Sequence, residues 1–253
     1  MTNIELIEYP IGAILEETRE LLSGVKWKMS SYPLYEYIMP TTFLKMAGIQ
    51  EQKMKCICWE LASHNYDYRY KRFISKGWEL GTCADVSKKN IVYEDLCEQI
   101  KLLNPFFGGL DNALRVDIIK TSKVSVDSFY KFGDLQRISQ RDYEYFNVLF
   151  TNLQAKNFAE DTTQLLSKKG IDCLYNGKIF VKEESLLTMY NTMMRYRNKL
   201  AHNLSVYEEG ITFTEMLQAN CLYNNYYLYF GLLILIDQVF LDLFAKYKKM
   251  MQM

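Results

Sequence analysis

The chain has 253 residues, 49% hydrophobic and 24% charged, which are the proportions of a globular fold and exclude a disordered or fibrous one. Thirty basic residues balance thirty acidic ones, so no global positive field gathers nucleic acid, and any such binding must rest on a local patch. Six cysteines without C-x-x-C spacing and only two histidines argue against a structural zinc site. The thiols read as reduced in a cytoplasmic protein, and the amino terminus lacks the apolar segment of a signal peptide.

In chain order, AILEETRELLS (13–23) reads as a first helix, with apolar residues at 14, 15, 21 and 22 and its acids early. Pro33 and Pro40 are expected to break the next stretch, so that a helix runs from about Thr42, with Gly48 as a candidate bend. HNYDYRYKRF (64–73) interleaves Arg69, Lys71 and Arg72 with Tyr68 and Tyr70. That pattern binds single-stranded nucleic acid by charge and stacking, or else belongs to a solvated helix end with its tyrosines turned inward.

IVYEDLCEQIKLLN (91–104) is helical and stops at Asn104-Pro105. A loop then enters a helix near Asp111. The stretch from Ser139 carries a stripe at 143, 146, 149, 150 and 153. AEDTTQLLSKKG (159–170) reads as a short helix capped by Gly170. Asn176-Gly177 between apolar runs is a hairpin signal, and LSVYEEGITF (204–213) is a weaker second one. Tyr226 to Phe244 is strongly apolar, but its uninterrupted run ends at Asp237, short of the roughly 20 residues that span a bilayer. A buried central helix, with no membrane partner, is the expectation. No linker or repeat divides the chain, so a single helical unit over 1–253 is expected, with 1–105 as an N-terminal elaboration and 106–253 as the core.

The stretch MMRYRNKLAHN, Met193 to Asn203, holds one of the two histidines. On a helix turning about 100° per residue, Leu186, Tyr190, Met193, Met194, Leu200 and Ala201 fall within about 60° of Arg197. Arg197 therefore lies along an apolar stripe, where it requires an acidic partner, a second subunit or a polar cavity. Asn191, Asn198 and His202 share one polar flank, with Arg195 beside them. Phosphodiester chemistry uses such a set: an imidazole moves a proton at a 2′-hydroxyl or a leaving oxygen, a guanidinium stabilises charge on phosphoryl oxygens, and an amide orients either. The bland reading is a helix end where His202 caps carbonyls and Arg197 makes a buried salt bridge.

RNKLAH, Arg197 to His202, resembles the signature of HEPN domains: an arginine, a polar residue, then a histidine four to six positions beyond the arginine. The resemblance implies an all-α HEPN-like helical bundle with the motif on a late helix; the one or two small β-hairpins read from the turn signals and the long N-terminal portion are not part of a minimal bundle of this kind. It further implies a metal-independent endoribonuclease without cofactor, acting on an RNA substrate as a toxin or antiviral defence effector. Such proteins form homodimers whose paired motifs make one composite site, and an antitoxin or other inhibitor protein is a further expected partner. By matching, Arg197, Asn198 and His202 take the catalytic roles, and Arg195, Lys199 and Asn203 flank them as substrate contacts. The alternatives are a non-catalytic HEPN module binding a nucleotide or a partner protein, and a structural helical dimer in which the motif is coincidence.

Overall fold

The computed structural model describes residues 2–25, 31–75, 83, 85–132, 135–152, 158, 164–166, 171–175, 178–202 and 225–252. Helix α1 (Asn3–Glu8) opens on a capping box. The Thr2 hydroxyl accepts from the Glu5 amide at 3.2 Å, and the Glu5 carboxylate accepts from the Thr2 amide at 2.8 Å. Helix α2 (Ala13–Leu21) follows and turns Ile14, Leu15 and Thr18 inward.

Helix α3 (Tyr32–His64) overturns the expected break at Pro40 and the expected start near Thr42. Pro33 sits in its first turn, where a missing amide costs nothing, but Pro40 lies inside and deprives the Glu36 carbonyl of its donor, at a cost of about 3 kcal/mol. Burial decides the outcome. Tyr35, Met39, Phe43 and Met46 are all buried, each contributing roughly 1.5–3 kcal/mol, and they hold both sides of the proline in one helix. The Thr41 hydroxyl donates to the Tyr37 carbonyl at 2.7 Å beside the gap. The helix also runs through Gly48 without interruption.

Helix α4 (Tyr66–Arg69) is capped by the Asn65 side chain, which accepts from the Tyr68 amide at 2.9 Å, and a π-helical turn continues it over Tyr70–Ser75. Helix α5 (Val86–Leu103) ends at Asn104, before Pro105. Helix α6 (Asn112–Tyr130) begins at Asp111, whose carboxylate accepts from the Leu114 amide at 2.8 Å. Helix α7 (Leu135–Asn152) is kinked at Ser139 and buries Phe146, Leu149 and Phe150.

Of the short helix expected over 159–170, only residues 164–166 are described, and they are not helical. The Leu165 amide donates instead to the Asn90 side chain at 2.8 Å. Strands β1 (Ile171–Tyr175) and β2 (Lys178–Glu184) pair antiparallel with Tyr175 opposite Lys178, and are the only strands among the described residues. The second hairpin candidate, 204–213, lies outside the described residues.

Helix α8 (Leu186–His202) carries the motif and helix α9 (Tyr226–Met251) is the axis of the fold. The Asn225 side chain caps α9 by accepting from the Leu228 amide at 3.0 Å, and every residue from Asn225 to Asp237 is buried. By length and composition α9 could cross a membrane. Here it packs against α3, α5, α6, α7 and α8. The chain is thus all-α in class. Gly231 lets α7 come close, because a Cβ there would stand 2.7 Å from the Phe146 and Phe150 rings. Asp237 is tolerated in this apolar helix because Lys53 of α3 donates to it at 2.6 Å and the Ile11 amide at 2.9 Å.

Candidate functional site

Ser185 starts α8 by accepting from the Thr188 amide at 3.1 Å. The helix then buries Leu186, Met189, Tyr190, Met193, Met194 and Leu200 against α3, α5 and α9. The apolar stripe opens at its C-terminal end, where Ala201 is exposed despite lying on the buried side of the wheel.

Arg197 finds its partner within the chain. Its Nη2 stands 3.2 Å from Oε2 of Glu51 on α3, and its Nη1 donates to Oδ1 of Asn198 at 3.2 Å. The two members of the pair are 20% and 14% exposed. The other carboxylate oxygen of Glu51 meets Lys55 at 3.3 Å, so the acid sits between two cations. A guanidinium therefore occupies a position suited to leucine because α3 presents a carboxylate opposite it. Of the acid, second subunit or polar cavity that this position calls for, an acid is found within the chain.

The amide of Asn198, exposed at its own position, is turned toward Arg197. Arg195 is exposed and donates to the Thr192 hydroxyl at 3.1 Å, and Lys199 is exposed. His202 closes α8, but its side chain and all of Asn203 lie outside the described residues. The structure thus brings Arg197 and Asn198 together and leaves Arg195 and Lys199 exposed on the side of α8 turned away from Arg197.

Beneath Arg197 is a polar layer that sequence reasoning missed. The Tyr190 hydroxyl donates to the Gln50 side chain at 3.3 Å, and Gln50 donates to the Leu233 carbonyl at 2.8 Å, tying α8 to α3 and α9. Lys89 of α5 is buried, with its Nζ 2.6 Å from the Cys83 carbonyl and 5.5 Å from the centre of the Tyr190 ring. Burial pushes its ammonium down to about 8. The field of Cys83 and of Glu51 opposes that fall, and Arg197 adds to it. Burial likewise raises the Tyr190 hydroxyl and the Cys83 thiol, so neither is a ready nucleophile.

Glu51 was legible in part, since an acid four residues before a lysine on one helix face is a recognisable pair. Lys89 carried no signal, because nothing in its own segment reveals that a lysine is buried.

The HNYDYRYKRF segment divides its residues. Tyr68 turns inward, its hydroxyl donating to Asp95 at 3.1 Å, and Arg72 grips the same carboxylate, with Nε at 2.8 Å. Tyr66, Arg69, Tyr70 and Lys71 are exposed, as is His64. The alternative of a solvated helix end with Tyr68 and Tyr70 turned inward therefore holds for Tyr68 and not for Tyr70.

No family model matches the chain, and neither a curated protein nor a solved structure matches it.

Proposed function

We propose that the chain is a metal-independent endoribonuclease with an HEPN-like bundle, cutting RNA by attack of a 2′-hydroxyl on the adjacent phosphate. The observation that carries this reading is the mounting of Arg197. Glu51 and Asn198 fix its guanidinium while leaving it one-fifth exposed at the open end of the apolar stripe, five residues before His202 on the same helix. A fork held from one side can still offer N–H groups to a phosphoryl oxygen, where charge gathers during transfer. His202 would move the proton and Asn198 would hold the guanidinium in register, while exposed Arg195 and Lys199 would add positive charge for the flanking phosphates. One motif supplies one histidine, whereas in-line transfer uses a base and an acid on opposite sides. A twofold homodimer with adjoining α8 helices would supply both. A cytoplasmic toxin or defence effector, held in check by an antitoxin or another inhibitor protein, fits this chemistry.

A second reading has one specific observation in its favour. Glu51 already neutralises Arg197 within a single chain, as suits a non-catalytic module that binds a nucleotide or partner protein and needs no free cation.

Incubating the purified protein with mixed RNAs in EDTA separates the two. The ribonuclease reading expects cleavage with 2′,3′-cyclic phosphate ends, no cutting of DNA, and loss of activity in His202→Ala. Cleavage that vanishes in EDTA and returns with magnesium would overturn the mechanism, and intact RNA under all conditions favours the binding module.

A further inference from the structure

We infer that single-stranded RNA docks on an aromatic face formed by Trp59, Tyr66 and Tyr70, which continues along α3 from the Glu51 and Arg197 pair. The inference rests on the ribonuclease reading and deepens it by naming unpaired RNA as the substrate class and giving the strand a path.

Three observations converge on this face. The first is exposure of aromatic area: Trp59 is 51% exposed, Tyr66 65% and Tyr70 52%. Tyr66 and Tyr70 are four residues apart and share one side of their helical segment. The second is rigid mounting. Inward-facing Tyr68 and Arg72 both anchor on Asp95, the Asn65 cap fixes the start of α4, and Trp59 packs against Phe73 with ring centroids 4.8 Å apart. Rings presented this way lose little freedom when a base stacks on them.

The third observation is charge and continuity. The Arg69 guanidinium lies 5.4 Å from the centre of the Tyr66 ring, a planar cation beside an exposed aromatic. Glu51, Lys55 and Trp59 are spaced i, i+4 and i+8, so they form one row along α3, with Trp59 about 12 Å beyond Glu51. A strand whose phosphate lies at Arg197 would pass Lys55 and reach the rings.

The chemistry favours unpaired RNA over a protein partner. Every base offers a π-face to a Tyr or Trp ring, and only unpaired bases are free to stack on a side chain. Arg69 and Asp67 lie among the rings and Lys71 pairs with Glu98 at 3.8 Å, a charged setting unlike the charge-depleted core of a protein interface.

The test uses His202→Ala protein, which leaves RNA intact, and a fluorescein-labelled 12-nucleotide single-stranded RNA read by anisotropy. Tyr66→Ala/Tyr70→Ala is expected to weaken binding by about tenfold or more. Tyr66→Phe/Tyr70→Phe keeps the rings and should bind like the parent. Arg69→Glu should weaken binding and flatten its dependence on salt. These side chains are exposed, and unchanged thermal melts establish that each variant folds.

Parent-like affinity in the double alanine variant overturns the inference, as does equal loss in the double phenylalanine variant. A change of mass in sedimentation with RNA affinity intact also overturns it, and identifies the face as a contact between copies. RNA that binds through these rings but is never cut by the wild type supports the docking face and sinks the ribonuclease reading alone. RNA that is cut, with affinity indifferent to the rings, sinks the docking face alone.

Discussion

Replacing Arg197 by lysine separates a catalytic arginine from a structural one, because the structure bounds the structural cost. The guanidinium makes one charge-assisted bond to Glu51 and one to its neighbour Asn198, in a setting 20% and 14% exposed. A fully buried bond of this kind contributes roughly 1.5–3 kcal/mol, and partial exposure lowers that. Glu51 also keeps Lys55 at 3.3 Å, so no buried carboxylate is orphaned. Lysine retains the charge, and the expected loss is about 1 kcal/mol, a fall of about 2–4 °C in Tm for a chain of this size. Such a loss leaves the protein folded.

Catalysis should respond on another scale. Losing a planar donor to a developing oxyanion costs about 10²–10³ in rate. Single-turnover cleavage of a labelled RNA, run beside thermal melts followed by circular dichroism, reads both quantities. A large loss of rate with a small change in Tm assigns Arg197 to the chemistry. Full activity in Arg197→Lys refutes that role and leaves the arginine as a clasp between α8 and α3. Glu51→Gln extends the test: it keeps the shape of the clasp and removes the charge, so a catalytic Arg197 should lose part of its orientation and rate.

Three further outcomes follow from the packing. Lys53→Met should cost about 3 kcal/mol, since it leaves buried Asp237 with only the Ile11 amide, and adding Asp237→Asn should recover part of that loss. Additive losses in urea denaturation would mean the two residues are not coupled. Lys89 holds its proton to about 8 in the fold against an ordinary value of 10.5, so between those values the unfolded chain binds more protons and stability rises with pH. Between pH 8 and 9.5 the unfolding midpoint should therefore rise more, or fall less, in the wild type than in Lys89→Met, and parallel behaviour would contradict the burial argument. Gly231→Ala should destabilise by about 1–2 kcal/mol despite alanine's better helix propensity, because its methyl would meet two phenylalanine rings at 2.7 Å. A raised Tm would show that α7 can yield.

Much of this molecule is written in local sequence. Asp111 caps α6 with its own carboxylate, and Asn104 before Pro105 ends α5; each depends on residues within four positions. The stripe on α8 follows from helical periodicity, and with it the conclusion that Arg197 sits where only a compensated cation can. The identity of the compensation was not local. Glu51 lies 146 residues away from Arg197, and Lys53 lies 184 residues from Asp237. Such pairings exist only once α3 is laid against α8 and α9.

The passage of α3 through Pro40 belongs to the same class. A proline's local cost is fixed by its ring, but the burial that outweighs it comes from helices distant in sequence. Periodicity and capping chemistry act over a turn or two of chain, so the sequence by itself determined the caps, most of the helices and the faces they bury. Desolvation and charge pairing act across the contacts between elements, and only the tertiary structure decided which acid faces Arg197, which lysine is buried beneath it and which tyrosines remain in solvent.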